Sequence, residues 1–275
     1  MTPGDATAAT TTVDGVTAPP ATTRPNLRRD VSVLGARAVS GWTRNPASIV
    51  GAIVFPIVFF VLFNLVMRRI MTARGFDYAQ LLPATVVVQA MFFTAMASAY
   101  YVAADRVAGM SGRFRSLPIH GAAPILARSV GDVSRATVSV VVLVIVGVIA
   151  GLRFRAGVPA VVGFVLVALV FAAVVSVGMG MIGLRAATPD AAASIASVPY
   201  LPLLMLSNGF APVEDFPGWL QGFVEHQPVT RTIDLLRALV VGGPTLEPFT
   251  WWVGWMIGLA IVFVPLAAWA AGRST

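Results

Sequence analysis

The chain contains no cysteine and no lysine, and only two of its 275 residues are histidine. The missing cysteine excludes a disulfide framework and thiolate chemistry. The two histidines, His120 and His226, stand far apart and cannot build a multi-histidine metal site within one chain. The missing lysine excludes a standard P-loop ATPase, whose lysine sits on the nucleotide phosphates. Any ATP chemistry connected with this chain therefore belongs to a partner, and no cofactor is expected in the chain itself. Charge is scarce as well. It falls on 11% of residues, where soluble domains carry about 25%.

What is present is apolar. Hydrophobic residues make up 57% of the chain and its mean hydropathy is +0.83. Several runs approach the about 20 residues that cross a bilayer as a helix. They are too long and unbroken for the ~10-residue alternating strands of a membrane barrel. The expected class is an all-α polytopic membrane protein. The net charge of +7 comes wholly from arginine. Arginine flanks at the cytoplasmic face account for it without nucleic acid.

Residues 1–27 are rich in Thr, Ala and Pro with no apolar run. They are expected to form a disordered cytoplasmic tail, and they do not resemble a signal peptide. In the next segment, Val31, Leu34, Ala38 and Trp42 recur at helical spacing among Arg28, Arg29, Arg37 and Arg44. This predicts an amphipathic helix at the cytoplasmic interface with Trp42 at headgroup level. Six spans follow, at about 48–67, 79–104, 129–151, 158–184, 191–210 and 250–271. Ser176 and Gly180 in the fourth form a small-xxx-small pair suited to close helix approach. Pro199 and Pro202 predict a kink or break in the fifth.

Orientation follows from arginine placement. With the N-terminus inside, twelve arginines fall on the inner side and seven on the outer. Both termini are then expected in the cytoplasm of a plasma (inner) membrane protein. Arg68 and Arg69 run against the bias; snorkelling or an outer vestibule would accommodate them.

Two stretches between spans carry most of the information. In "DRVAGMSGRFRSLP", residues 105–118, Val107, Met110, Phe114 and Leu117 share a helical face, and Arg106 and Arg113 share another. Asp105 is a suitable N-cap and Pro118 a stop. The residues alone suit either a lipid-surface helix or a protein-docking helix. The second stretch, residues 207–244, is too polar to span. Phe216, Trp219, Leu220 and Phe223 form one stripe; Ile233, Leu236, Leu239 and Val240 form another. Two short helices half-inserted at the outer interface are expected, the second stopped by Gly242 and Gly243.

"RFRSLPIHGAAPILAR…DVSRA" before a long apolar span resembles the coupling-helix segment of type-2 ABC exporter permeases. "FAPVEDFPGWLQGFVEHQPVT…DLLRALVVGG" is similar to the matching signature of the daunorubicin/doxorubicin-resistance permeases of actinobacteria, over about residues 28–272. His226-Gln227 departs from that signature, where many members carry Asn, and His226 reads as an exposed interfacial residue. The resemblance implies a partner ABC ATPase that binds ATP and Mg. It implies a coupling helix of Arg106, Met110, Arg113, Phe114, Arg115, Leu117 and Pro118 docked into that ATPase. It also implies a re-entrant pair carrying Phe216, Trp219, Leu220, Phe223, Asp234 and Arg237, and a second six-span permease. The substrate would be a hydrophobic drug or a complex cell-wall lipid such as a phthiocerol dimycocerosate.

Polar residues at membrane depth include Asn64, Gln89, Ser98, Tyr100, Tyr101, Ser176 and Asn208. Asn64, Gln89, Tyr100, Tyr101 and Asn208 are candidates for a substrate path; interhelical hydrogen bonding is the alternative reading. No Asp, Glu or Arg falls near the centre of an expected span, which argues against proton coupling. A lipid-modifying enzyme would need clustered acid/base residues. Glu214, Asp215, Glu225 and His226 are the best set available to it.

Overall fold

The computed structural model describes residues 26–73, 75, 77–110, 119–120 and 123–273. The expected tail up to residue 25 lies outside them. Among the described residues every regular element is helical. The order is α1 (Leu27–Thr43), α2 (Pro46–Ile49), a π-helical turn (Val50–Val54), α3 (Phe55–Ala73), α4 (Tyr78–Val107), α5 (Ala123–Ala150) and α6 (Gly157–Arg185). Then come α7 (Pro189–Met205), a 3₁₀ turn (Val213–Asp215), α8 (Gly218–His226), α9 (Pro228–Val241) and α10 (Leu246–Arg273).

Local sequence sets many of the helix ends. Asn26 accepts from the Arg28 and Arg29 amides at the start of α1, and Asn45 accepts from the Ala47 amide at the start of α2. Pro46, Pro189 and Pro228 open their helices, where a missing N–H costs nothing. Gly242, with φ at +75°, closes α9 in the left-handed region, as its sequence predicts.

Five helical stretches are long and apolar enough to cross a membrane: Pro46–Val66, Tyr78–Val107, Leu126–Ala150, Gly157–Arg185 and Leu246–Ala267. They coincide with five of the six expected spans. The remaining one corresponds to α7, whose 17 residues stay helical through both Pro199 and Pro202. The chain leaves the helix only after Met205, so the expected break comes later than the prolines. Packing against α4 supports the helix across the hydrogen bonds the prolines remove.

The spine of the bundle is α4. Its span is 78% buried, whereas Pro46–Val66 is 17% and Leu246–Ala267 is 11% buried, so those outer helices offer most of their surface to lipid. Helices α3, α5, α6, α7 and α9 all pack on α4. The tightest approach is to α6. A Cβ added at Gly183 would stand 2.3 Å from the Ala99 carbonyl oxygen and 2.8 Å from Val102 Cβ. Gly180 and Ser176 extend the same seam, so the small-xxx-small reading holds and Gly183 is its closest point.

Helix α1 lies along the start of α5. A Cβ at Gly131 would reach 2.9 Å from Ala38 Cβ, and Trp42 Nε1 donates to Ser134 Oγ at 3.0 Å. Trp42 is therefore buried against α5, not open to headgroups as expected, because a helix partner covers its ring.

Gly183→Ala is expected to lower the thermal unfolding midpoint of the purified protein, since backbone faces the new methyl and overpacking costs about 1–3 kcal/mol. Gly254→Ala, where an added Cβ meets nothing within 4 Å, should leave the midpoint in place. Equal midpoints for the two variants would contradict the α4–α6 seam.

Candidate coupling and substrate-path sites

The first site is the end of the bundle where α4 stops. Helix α4 continues through Val107, so Asp105 lies inside its last turn and is not the expected N-cap. Gly109, with φ at +68°, turns the chain between Val107 and Met110. The single face expected from Val107 onward is therefore interrupted. Asp105 pairs with Arg128 of α5 at 2.8 Å. Arg106 Nη1 donates to the Leu184 carbonyl at 2.6 Å, among the last α6 carbonyls that lack helical partners. Arg106 thus turns toward α6, and Met110 is half-buried. Arg113, Phe114, Arg115, Leu117 and Pro118 lie outside the described residues. Beyond them, the His120 amide donates to Asp30 of α1 at 2.9 Å.

One helical turn deeper lies a buried ion pair. Asp132 Oδ1 accepts from Arg135 Nη2 at 2.5 Å, and its Oδ2 accepts from Ser98 Oγ at 2.7 Å. The Arg135 guanidinium carbon stands 5.2 Å from the centre of the Tyr101 ring, and the Tyr101 hydroxyl hydrogen-bonds Ser48. Helix α5 starts at Ala123, six residues before the expected 129, so Arg135 is the tenth residue of a 25-residue span. The longer span brings Arg135 close to its centre, which corrects the expectation that no Asp, Glu or Arg falls near the centre of a span. Pro124, in the first turn of α5, was the signal that would have moved that boundary.

The expected path residues occupy different places along the bundle. Gln89 of α4 donates to Tyr200 of α7 at 2.8 Å. Tyr100 and Tyr101 rings meet edge to face. Asn64 is half-buried on α3. Asn208 belongs to the opposite end of α4. For Gln89, Tyr101 and Asn208, bonding between helices or to an adjoining loop is what the geometry contains.

At that opposite end the loop after α7 is tied to α4 and α9. Breaking α7 at Leu206 strands backbone carbonyls in apolar surroundings. Arg237 Nη1 donates to the Asn208 carbonyl and Nη2 to the Gly209 carbonyl, both at 3.0 Å. Thr85 Oγ1 also donates to Gly209 at 3.0 Å, and Gln227 Nε2 donates to the Leu206 carbonyl. Asp234 Oδ1 accepts from Asn208 Nδ2 at 2.5 Å. Asn208, Asp234 and Arg237, expected in separate roles, thus form one network. Burial raises the Asp234 carboxyl above its ordinary range, against the Asn208 hydrogen bond and the Arg237 charge. Burial lowers the Arg237 guanidinium to about 10, against Asp234 and Tyr78; it remains charged at neutral pH.

The two expected stripes of this region differ. Ile233, Leu236 and Val240 are buried and Leu239 packs on the core. Trp219 is 84% exposed and Phe223 is exposed, while Phe216 and Leu220 are half-buried. Helix α8 therefore turns its large aromatics away from the bundle. His226 is exposed, as expected. Among the described residues no group of three or more His, Asp or Glu is arranged to hold a metal.

The raised carboxyl of Asp234 has a pH signature. The native state takes up its proton more readily than the unfolded chain. Its stability contribution is full below the ordinary carboxylate pKa of about 4 and declines as pH rises through the higher native value. Relative to Asp234→Asn, the unfolding midpoint of the parent protein should therefore fall as pH rises from about 4 to neutrality. A pH-independent difference between the two would contradict the buried placement.

The ABC-2 type transporter family matches residues 29–241, from α1 to the last residue of α9. The chain is 29% identical over 236 residues to the probable doxorubicin resistance ABC transporter permease protein DrrC of Mycobacterium tuberculosis, covering 84% of each. It is 29% identical over 234 residues to the daunorubicin resistance permease protein DrrB1 of Streptomyces coeruleorubidus, covering 84% of this chain and 81% of that one. It is 30% identical over 227 residues to the doxorubicin resistance permease protein DrrB of Mycobacterium tuberculosis, covering 77% and 78%. The match runs through both polar ends of α4 in a bundle of membrane-spanning length, and the chain belongs to the ABC-2 type transporter family.

Proposed function

We propose that this chain is the membrane-spanning permease subunit of an ATP-driven exporter, with ATP and Mg held by a separate ABC ATPase subunit. The observation that carries the reading is the cross-tying around residues 111–118. That segment lies between α4 and α5, which Asp105 and Arg128 join by an ion pair. Arg106 adds α6 through Leu184, and Asp30 adds α1 through the His120 amide. A displacement applied at 111–118 then moves four helices together as one body. Arg113, Phe114, Arg115, Leu117 and Pro118 are the residues assigned to the ATPase contact.

In this reading α7 is the sixth crossing. It follows α6 at the Arg106 end of α4 and leads to Gly209 at the Thr85 end. Its 17 residues rise about 25 Å, and residues 206–210 complete the passage. The arginine bias then puts both termini in the cytoplasm of the plasma (inner) membrane, with α8 and α9 as a re-entrant pair at the outer face. A second six-span permease completes the transmembrane unit, as homodimer or heterodimer. The substrate is a hydrophobic drug or complex lipid, moved out of the cytoplasm or inner leaflet. The relatives' names specify doxorubicin and daunorubicin resistance, which suits an anthracycline-like substrate. The resemblance to the daunorubicin/doxorubicin-resistance permeases also admits a phthiocerol dimycocerosate-like lipid as substrate.

The test is co-purification with the partner ATPase followed by substrate-stimulated ATP hydrolysis. Phe114→Ala and Arg115→Glu should each uncouple stimulation or release the ATPase while leaving the permease folded. Full stimulation in both variants would sink the coupling assignment.

A further inference from the structure

The first span changes helical form part-way along. Helix α2 passes into the π-helical turn Val50–Val54 before α3 resumes the α-helical pattern at Phe55. The Phe55 amide donates to the Val50 carbonyl, five residues back. Such turns are rare and concentrate where a helix bends or works. Two residues weaken the same stretch. Pro56 has no N–H to return to Ala52, its partner four residues back. Gly51 is a weak helix former, and a Cβ added there would meet nothing within 4 Å, so close packing does not require a glycine.

The two sides of this joint are held differently. On the near side Ser48 hydrogen-bonds the Tyr101 hydroxyl, and α1 is tied to α5 through Trp42 and Ser134. At the joint, Ser139 Oγ of α5 donates to the Ala52 carbonyl at 2.6 Å. The acceptor that Pro56 leaves without its helical donor is thus capped from a neighbouring helix, as a carbonyl away from water requires. On the far side α3 rests on rings. Phe55 meets Phe93 of α4 edge to face at 4.8 Å, and Phe63 meets Phe210 at 5.0 Å. Phe210 follows Gly209, whose carbonyl is fixed by Arg237 and Thr85. Ring contacts tolerate sliding in a way that aligned hydrogen bonds do not. The other face of α3, with Leu62 and Leu65, is exposed, so lipid and not protein lies behind the arm.

We propose that residues 50–56 form a hinge on which α3 swings as an arm, parting Phe59 and Phe63 from Phe210 and opening the seam between α3 and the loop after α7. Helices α1 and α2, on the near side, stay with α5 and so with the helices that residues 111–118 move together. Ser139 sets the closed position by holding the Ala52 carbonyl. The hinge is a property of the chain itself; only the timing of its swing rests on the exporter reading.

The test places spin labels on cysteines introduced at Leu65 of α3 and Val158 of α6, both exposed, in the purified full chain in lipid nanodiscs. Electron–electron resonance reads the distribution of distances between them. Ser139→Ala should broaden it, because the joint loses its cap. Pro56→Ala should narrow it, because the restored N–H closes the helix across the joint. A control pair with exposed Val33 of α1 in place of Leu65 should keep its distribution in both variants, which also shows them folded. Parent-like Leu65–Val158 distributions in both variants, or equal changes in the control pair, would overturn the hinge. This readout needs no ATPase, so its failure leaves the exporter reading standing, and a failed ATPase co-purification leaves the hinge standing. In the assembled exporter, cross-linking Phe63→Cys to Phe210→Cys should stop substrate transport until the link is reduced. Undiminished transport in the cross-linked form would overturn the swing.

Discussion

The contact on which the architecture depends is the meeting of α4 and α6 at Gly183 and the Ala99 carbonyl. In a bilayer, lipid tails are as apolar as leucine, so burial of apolar surface does not by itself draw helices together. Close van der Waals approach must do it, and only small residues permit such approach. Gly183, Gly180 and Ser176 supply that seam. With α6 fixed on one side of α4, helices α5, α7 and α9 find positions around the rest of it. The outer helices can then present their apolar surfaces to lipid, as α3 and α10 do.

A helix buried on most of its circumference becomes the natural place to satisfy polar groups, and α4 does so at several depths. Thr85 receives the loop after α7, Gln89 meets Tyr200, Ser98 meets Asp132, and Asp105 meets Arg128. Each arrangement answers the same constraint: a polar group withdrawn from water needs a partner inside the protein. The result is a spine with a charged network near each end and an apolar, aromatic middle. Such a spine suits a device that receives work at one end and changes access at the other, which is the role proposed for the exporter subunit.

Much of this was legible in the sequence. Long apolar runs over a lysine-free, charge-poor chain required a helical membrane bundle, and five of the six runs are spans by length and composition. Gly242 announced the end of α9, and the stripe at Ile233, Leu236 and Val240 announced its buried face. What hydrophobic pattern could not convey was pairing. Asp132 and Arg135 fall in the first turns of the expected 129–151 span, and Arg135 counted with the inner-side arginines; only the neighbouring α1, together with Ser98 and Tyr101, makes that depth habitable for charge. Asp234 and Arg237 were expected only as members of the re-entrant pair, yet they satisfy a loop separated from them by more than twenty residues. Trp42 followed the rule for interfacial tryptophan and was instead covered by α5, since its indole N–H had Ser134 to meet.

The claim that joins these parts is that α4 moves as a rigid spine between the ATPase side and the outer helices. The absence of native cysteine allows a direct measurement, because introduced cysteines alone will carry spin labels. Asp77 and Val107, both exposed, mark the two ends of α4, and thirty residues of helix separate them by about 45 Å. With the partner ATPase present, electron–electron resonance should give the same narrow distance in the nucleotide-free and ATP-bound states. Over the same step, labels at Val107 of the two permease subunits should change their separation. A shift or splitting of the distance within α4 on adding ATP would contradict the account.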